Sequence, residues 1–289
     1  MADARPTTAA APVAPRARRP RALPLRAEVR RQLRRRRTQG IGWVVLVLPL
    51  LLVGAFALGS NDAGPGQRGF VDLAQESGAN LTVFTLFAST GFLLIVVVAL
   101  FAGDAVPAEA SWSSLRYLLA APVPRGRLLR QKLVVAALSS AAALVALPLW
   151  TLAVGGVAYG WGPYVGPTGE QIGWPQLVGR FAVIIAYLAV SLTVVGALAF
   201  ALGVFTDAPL AAVGGAVLAM ILFAILDSIT ALGSIRNGLP GHYAFAWADA
   251  LAPTLDWSDM VTGALWSLGY AIVLLWIAGW HFLRKDITS

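Results

Sequence analysis

The chain has 289 residues, of which 58% are hydrophobic, and its formal net charge is +8. Only 12% of its residues are charged, whereas soluble domains carry roughly 25%, so the composition excludes an ordinary soluble domain. The absence of cysteine excludes disulfides, a thiol nucleophile and a cysteine-based metal site, and two isolated histidines argue against zinc. Twelve of the 22 basic residues lie in the first 40 positions. A basic head before apolar stretches indicates a membrane protein and no nucleic-acid partner.

The basic head divides into two parts. Residues 1–24, rich in alanine, proline and arginine, predict a disordered cytoplasmic tail because they offer too little apolar surface to form a core. Residues 25–40 predict an amphipathic helix, since Leu25, Val29 and Leu33 recur every four positions among arginines. Such a helix lies in the membrane interface with its arginines facing lipid phosphates, and a solvated basic retention signal is the alternative.

Residues 41–289 contain six stretches that can each cross a bilayer, which takes about 20 predominantly apolar residues. These stretches are 42–59, 81–102, 133–158, 178–205, 209–232 and 261–283. The first could instead be the core of a signal peptide cleaved after Ala55-Phe56-Ala57, but its basic head is much longer than signal peptides have. The sequence therefore predicts an all-α membrane protein with six transmembrane helices.

The basic residues between the stretches predict the orientation. With the N-terminus inside, nineteen arginines and lysines lie on the inner side and three lie outside, namely Arg68, Arg180 and Arg236. Because cytoplasmic loops are enriched in arginine and lysine, both termini and the 103–132 loop are predicted in the cytoplasm of a cell-membrane protein. The 233–260 loop is then outside, and its aromatic residues predict a belt at the membrane surface. These aromatics are Tyr243, Phe245, Trp247 and Trp257.

The 103–132 loop is longer than a connection needs, and its residues 107–121 predict a short amphipathic helix. Pro107 suits the first turn of that helix, and Pro122 ends it. One face carries Trp112, Leu115, Leu118 and Leu119, and the other carries Glu109, Ser113 and Arg116. The helix either docks on a partner or rests on the membrane surface.

This loop resembles the cytoplasmic loop of ABC-2 type transporter permeases, the membrane subunits of one class of ATP-binding-cassette exporter. That family has a glutamate, then Gly-Thr-Leu, paired leucines, Pro-Val-x-Arg and a lysine that opens the third span. The matching positions are Glu109, Ser113-Ser114-Leu115, Leu118-Leu119, Pro122-Val123-Pro124-Arg125 and Lys132. Ser113 departs from the family's usual glycine. The arginine-rich helix and the stretch LPGHYAFAW at 239–247 also fit.

The resemblance implies a permease that exports its substrate and whose coupling helix docks on a separate ATPase. The implied coupling residues are Glu109, Trp112, Ser113, Leu115, Arg116, Leu119, Pro122, Arg125 and Lys132. It further implies two ATPase copies per complex and a second permease chain, the same or different. Neither of the two lysines lies in a Gly-Lys-Ser/Thr motif. We therefore predict that this chain is no enzyme and binds no cofactor or metal, and that ATP and magnesium bind the partner.

Two other functions stay open on the residues alone. An ion-coupled carrier would need charges or interrupted helices at membrane depth, and Asp227 is the one candidate pathway acid. A non-transporting scaffold or sensor subunit would need only an assembled bundle. Small residues predict close helix packing in the fourth and fifth spans. These residues are Ala199 and Gly203, and Ala211, Gly215 and Ala219. The transported substrate stays open.

Overall fold

The computed structural model describes residues 25–59, 69–107, 125–206 and 208–284. The tail 1–24 lies outside these residues, and so does the segment 108–124, which we call the connector. The connector holds most of the predicted coupling helix, including Glu109, Trp112, Ser113, Leu115, Arg116, Leu119 and Pro122.

Helices make up most of the described chain. In chain order they are α1 (Leu25–Leu33), α2 (Arg36–Leu58), α3 (Phe70–Ala74), α4 (Gly78–Thr90), α5 (Leu93–Gly103), α6 (Arg125–Tyr159), α7 (Trp174–Ser191), α8 (Thr193–Thr206), α9 (Pro209–Ser228) and α10 (Ser258–Arg284). Two 3₁₀ helices, Thr230–Gly238 and Ala246–Leu251, lie between α9 and α10. The sequence predicted no strand, yet β1 (Tyr164–Val165) and β2 (Gln171–Ile172) form a short antiparallel hairpin with Tyr164 opposite Ile172.

Within the described residues, five helical segments are long and apolar enough to cross a membrane, so the chain is a multi-pass, mostly α-helical membrane protein. They are α2, α6 from Gly126, α7 together with α8, α9 and α10. Each coincides with one of the predicted stretches. The agreement is close because an uninterrupted apolar run of this length specifies a membrane helix without reference to the rest of the chain.

The remaining predicted stretch, 81–102, is not a straight helix. It consists of α4 and α5, which are bent by 60° at a short break. Phe92 has a non-helical backbone (φ −143°, ψ −59°) at this break, and Gly91 before it is a poor helix former. The Thr90 hydroxyl donates to the Leu86 carbonyl at 2.7 Å, a bond that often bends helices.

Helix α8 is central to the bundle and packs against α5, α9 and α10, while α4 packs against α6. At the crossing of α5 and α8, a Cβ atom added to Gly203 would lie 2.9 Å from the Gly103 carbonyl oxygen. Ala199 is fully buried beside the same crossing. The two small residues predicted for the fourth span thus lie where two backbones meet.

The sequence did not reveal a second close crossing, between α4 and α6. A Cβ atom added to Gly78 would lie 2.5 Å from the Gly156 backbone nitrogen, and one added to Gly155 would lie 2.8 Å from the Gly78 Cα. Among the small residues predicted for the fifth span, Gly215 does lie at a close approach, since an added Cβ atom would be 3.1 Å from Leu202 Cδ1 of α8, but the buried alanines are displaced by one position. Ala212 and Ala216 are fully buried on α9, whereas Ala211 is exposed. Gly215 and Ala219 are half-buried.

The end of the bundle that carries the hairpin, here called the hairpin end, is closed by the segment between α9 and α10. Trp247 in this segment is fully buried, so the prediction of a surface belt is wrong for that residue. Phe245 and Trp257 are about half exposed, at 45% and 50%. Arg180 of α7 is buried and donates to the Ala250 carbonyl at 3.1 Å and the Ala252 carbonyl at 2.5 Å. The arginine satisfies carbonyl groups that an irregular segment would otherwise leave unpaired.

Candidate functional site

A cluster of charged side chains lies at the opposite end of the bundle, where the connector leaves α5 and returns in α6. We call this the connector end. Lys132 of α6 and Glu28 of α1 form an ion pair with Nζ and Oε1 2.5 Å apart. Their side chains are only 8% and 7% exposed. A pair this well buried is strongly coupled, because removing one partner leaves an uncompensated charge in the interior.

The second half of the cluster centres on Asp104, the residue that follows α5. Arg35 Nη1 lies 3.1 Å from one carboxylate oxygen of Asp104, and Arg37 Nη1 lies 2.6 Å from the other. The Asp104 side chain is 8% exposed. Burial raises the pKa of Asp104 above its ordinary value, and the positive charges of Arg37 and Arg35 lower it without cancelling the effect of burial.

The N-terminal region adopts two helices where the sequence predicted one over 25–40. Helix α1 ends at Leu33 and α2 begins at Arg36. The break falls in a run of four arginines, 34–37, where like charges on successive turns disfavour a continuous helix. The turn lets Arg35 and Arg37 reach Asp104 together.

Helix α1 presents polar residues to the bundle and an apolar residue outward. Glu28 and Gln32 are 5% and 9% exposed, whereas Leu33 is 60% exposed. The buried side of α1 therefore faces the charge cluster and contributes Glu28 to it. Leu33 belongs to the apolar stripe of the predicted amphipathic helix, and the location of that helix in the membrane interface stays a prediction.

The cluster joins residues from four segments of the chain, three before the connector and one after it. Glu28 and Lys132 are 104 positions apart, and Arg35 and Asp104 are 69 apart. Asp104 lies on the N-terminal side of the connector, and Lys132 lies on its C-terminal side. The ion pairs therefore link α1 and α2 to the described residues on both sides of the connector.

The predicted site residues are distributed unevenly around this cluster. Lys132 is part of it, and Arg125 begins α6. Asp227 lies one residue before the end of α9, at the hairpin end, and not several residues inside the span as predicted. Its carboxylate lies 2.5 Å from His242 Nδ1 and 3.6 Å from Arg236 Nε. The described residues contain no group of three or more His, Cys, Asp or Glu side chains that could hold a metal ion.

The sequence reasoning missed Glu28, Arg35, Arg37 and Asp104. A signal for Glu28 was present, because it is the one acid among the arginines of 25–40. Asp104 similarly follows an apolar run directly, where an acid needs a partner if it is buried. What the sequence lacked was a way to match these acids with their cations, since the partners come from distant segments.

One family model, described as a protein of unknown function (DUF2705), matches residues 44–288 of the chain. The match begins after Arg35 and Arg37 and includes Asp104 and Lys132. No curated protein matches the sequence.

Proposed function

The chain belongs to the DUF2705 family, proteins of unknown function, and we propose that it is the membrane-spanning permease subunit of an ATP-driven exporter. In this proposal α4 and α5 together form one of six spans, and both termini lie in the cytoplasm of a cell-membrane protein. The connector end then faces the cytoplasm, and the connector carries the coupling helix. ATP and magnesium bind a separate ATPase, in two copies, and a second permease chain completes the complex.

The charge cluster is the observation that carries this proposal. A connector that only rests on lipid needs no fixed attachment at its two ends. Here the described segments on both sides of the connector carry buried ion pairs, Asp104 with two arginines and Lys132 with Glu28. Such an arrangement can transmit a push on the connector to α1, α2, α5 and α6 at once. Because the connector resembles the loops of ABC-2 type permeases, the partner that we propose for it is an ATPase.

A cavity within the bundle supports an apolar substrate. It has a volume of about 450 Å³ and lies between α5, α6, the α7–α8 segment and α10. Its lining is almost entirely apolar, with Ser140 and Thr193 as its hydroxyl-bearing residues. A cavity of this size and character suits a hydrophobic molecule. Lipids, hydrophobic drugs and apolar peptides all share this chemistry.

The proposal is tested by purifying the full chain from its native membrane and identifying the proteins that copurify with it. We expect the chain alone to hydrolyse no ATP, and a P-loop ATPase to copurify with it. Trp112→Ala and Arg116→Glu should each weaken that association roughly 30-fold, since a buried anchor contributes about 2 kcal/mol. The matched control is Arg34→Glu, which reverses an exposed arginine outside the connector.

The control variant should retain the ATPase, and all three variants should insert in the membrane at equal levels. Retention of the ATPase by both connector variants would mean that the connector is not the docking element. Copurification of no ATPase by the unaltered chain, at full membrane expression, would contradict the proposal as a whole.

The bend between α4 and α5 favours a second candidate function, an ion-coupled carrier. Interrupted helices at membrane depth are a feature of such carriers, and this segment is bent by 60°. The carrier predicts substrate transport driven by a proton gradient without ATP, and loss of that transport in Asp227→Asn. Transport by reconstituted protein under an imposed gradient distinguishes the two functions.

A further inference from the structure

A second cavity, of about 290 Å³, lies at the hairpin end between α3, α4, the hairpin and the second 3₁₀ helix. Its volume is close to the lower limit of about 300 Å³ for small-molecule pockets. The cavity is distant from the charge cluster, which lies at the connector end. Its properties therefore stand independently of any ATPase partner.

Three phenylalanine rings line this cavity and contact one another. The centroid of Phe70 is 5.0 Å from that of Phe84 and 5.6 Å from that of Phe87. The Phe70–Phe87 pair is edge to face, with 79° between the ring planes. Aromatic faces attract cations through the quadrupole of the ring, most strongly where water is excluded.

Two carboxylates line the same cavity from different elements. Glu170 comes from the hairpin, and Asp249 comes from the second 3₁₀ helix. The described residues that line the cavity include no lysine, arginine or histidine. The Thr168 hydroxyl donates to Glu170 and lowers the pKa of this carboxyl, which favours its charged form. The cavity therefore combines aromatic faces with negative charge.

Hydrogen bonds and ring packing between neighbouring elements hold the walls of the cavity in place. The Asn80 side chain forms two hydrogen bonds with the backbone of Val165, of 2.7 and 2.9 Å, and so fixes the hairpin on α4. Phe87 packs on the fully buried Trp247, with 4.4 Å between ring centroids. A site that is already formed binds its ligand without an ordering cost.

We propose that this cavity binds a small organic cation that carries a methylated ammonium group. The phenyl rings suit the apolar methyl groups of such a cation, and the two carboxylates neutralise its charge. A metal ion would find too few oxygen ligands here, and a neutral apolar molecule would leave the negative charge of the carboxylates unbalanced. The methylated ammonium group can belong to a free solute or to a lipid headgroup.

The test is binding of choline to the full chain in nanodiscs of phosphatidylglycerol, measured by titration calorimetry. The comparison ligand is 3,3-dimethylbutan-1-ol, in which carbon replaces the charged nitrogen of choline. We expect choline to bind and the neutral alcohol to bind at least tenfold more weakly, because the shape is kept and only the charge is lost. Equal binding of the two compounds, or no binding of choline, would overturn the proposal.

Two variants and their matched controls locate the site. Asp249→Asn and Phe70→Leu should each weaken choline binding about tenfold. Phe70 is 53% exposed, so its replacement leaves the bundle intact. Glu76→Gln removes an exposed acid that does not line the cavity, and Phe92→Leu removes a phenylalanine of 58% exposure elsewhere. Equal effects of variants and controls would show that choline responds to surface charge and not to this cavity.

A final arm identifies the source of the cation. The titration is repeated in nanodiscs of phosphatidylcholine, whose headgroup carries the same trimethylammonium group. Loss of choline binding there, restored in phosphatidylglycerol, identifies the lipid headgroup as the occupant. Unchanged binding identifies a free solute as the occupant.

Discussion

At the scale of single residues, the buried charges at the connector end are matched pair by pair. Glu28 pairs with Lys132 and also lies 4.0 Å from Arg31, and Asp104 pairs with two arginines. Buried ion pairs add little net stability over apolar replacements, but their disruption is expensive. Their value is that they fix one arrangement of the elements they join. The main role of the cluster is therefore to hold these elements in position.

The Glu28–Lys132 pair gives the first prediction at this scale. Glu28→Gln or Lys132→Met alone should lower the free energy of unfolding by about 3–5 kcal/mol, because the remaining charge stays buried. The double variant should lose clearly less than the sum, since both charges are gone. Thermal unfolding of the detergent-solubilised protein measures these effects. Arg34→Gln, at an exposed arginine, is the control, and additive losses in the double variant would contradict the pairing.

The raised pKa of Asp104 gives a prediction about pH. Because burial raises this pKa in the folded protein, the folded state binds the proton more tightly than the unfolded state does. The stability of the unaltered chain relative to Asp104→Asn is then greatest below the unfolded pKa of 3.8. It falls as pH rises through the folded pKa and is constant above it.

Thermal unfolding of both proteins from about pH 3 to 8 measures this difference in stability. Asp259→Asn, at an exposed residue, is the control. The stability of the unaltered chain relative to this variant should fall much less as pH rises. A relative stability that rises with pH would show that the arginines outweigh burial.

At the scale of elements, close crossings of helices determine where glycine is required. The crossing of α5 and α8 brings the Gly103 backbone against Gly203, and the start of the connector follows directly. In a membrane, packing of this kind supplies much of the association between helices, since lipid and apolar side chains are equally apolar. The crossing of α4 and α6 requires glycine in the same way at Gly78 and Gly155, whereas Gly214 has open space around it.

Gly203→Ala should therefore destabilise the bundle by about 1–3 kcal/mol, because the added methyl group meets a backbone oxygen that cannot yield easily. The Cβ atom added at Gly203 would lie 2.9 Å from the Gly103 carbonyl oxygen and 3.2 Å from the Pro107 ring. Gly214→Ala is the matched control on α9, with nothing within 4 Å of the added Cβ. The control should be neutral or stabilising by up to about 1 kcal/mol, from helix propensity.

Thermal unfolding in one detergent compares the two alanine variants directly. Gly203→Ala should lower the melting temperature, and Gly214→Ala should leave it unchanged or raise it. A Gly203→Ala variant as stable as the control would mean that α5 and α8 do not approach this closely.

At the scale of the whole molecule, the orientation in the membrane is the property on which the proposed function depends. A coupling helix can meet an ATPase only if the connector is cytoplasmic. The charged residues favour that orientation, through the excess of arginine and lysine on the connector side. The chain has no native cysteine, so single cysteines can be labelled without interference.

Cysteines at Ser60 and Ser258 should react with a membrane-impermeant maleimide in intact cells, and a cysteine at Ser113 should react only after permeabilisation. The expected pattern follows from six spans with both termini inside. A cysteine at Ser140, which is 8% exposed, is the control and should react in neither condition. Labelling of Ser113 from outside would reverse the topology and exclude the coupling helix.

The amino-acid sequence by itself determined which segments enter the membrane, since apolar length is a local property and needs no partner. It also indicated an amphipathic N-terminal helix and a patterned connector. It placed packing glycines at Gly203 and Gly215, but it chose Ala211 and Ala219 on α9, where Ala212 and Ala216 are the fully buried alanines. Only a neighbouring helix selects which of several small residues faces inward.

The tertiary structure alone decided the pairings. Glu28 meets Lys132 across 104 positions, and no local pattern specifies such a contact. It likewise decided that Trp247 is buried, because the segment before α10 folds onto α7 through Arg180 instead of lying on the membrane surface. The cavity of Phe70, Glu170 and Asp249 has the same origin, since its walls come from elements that only the fold brings together. Long-range matching of this kind depends on the energy of the whole packed bundle, which a single segment does not contain.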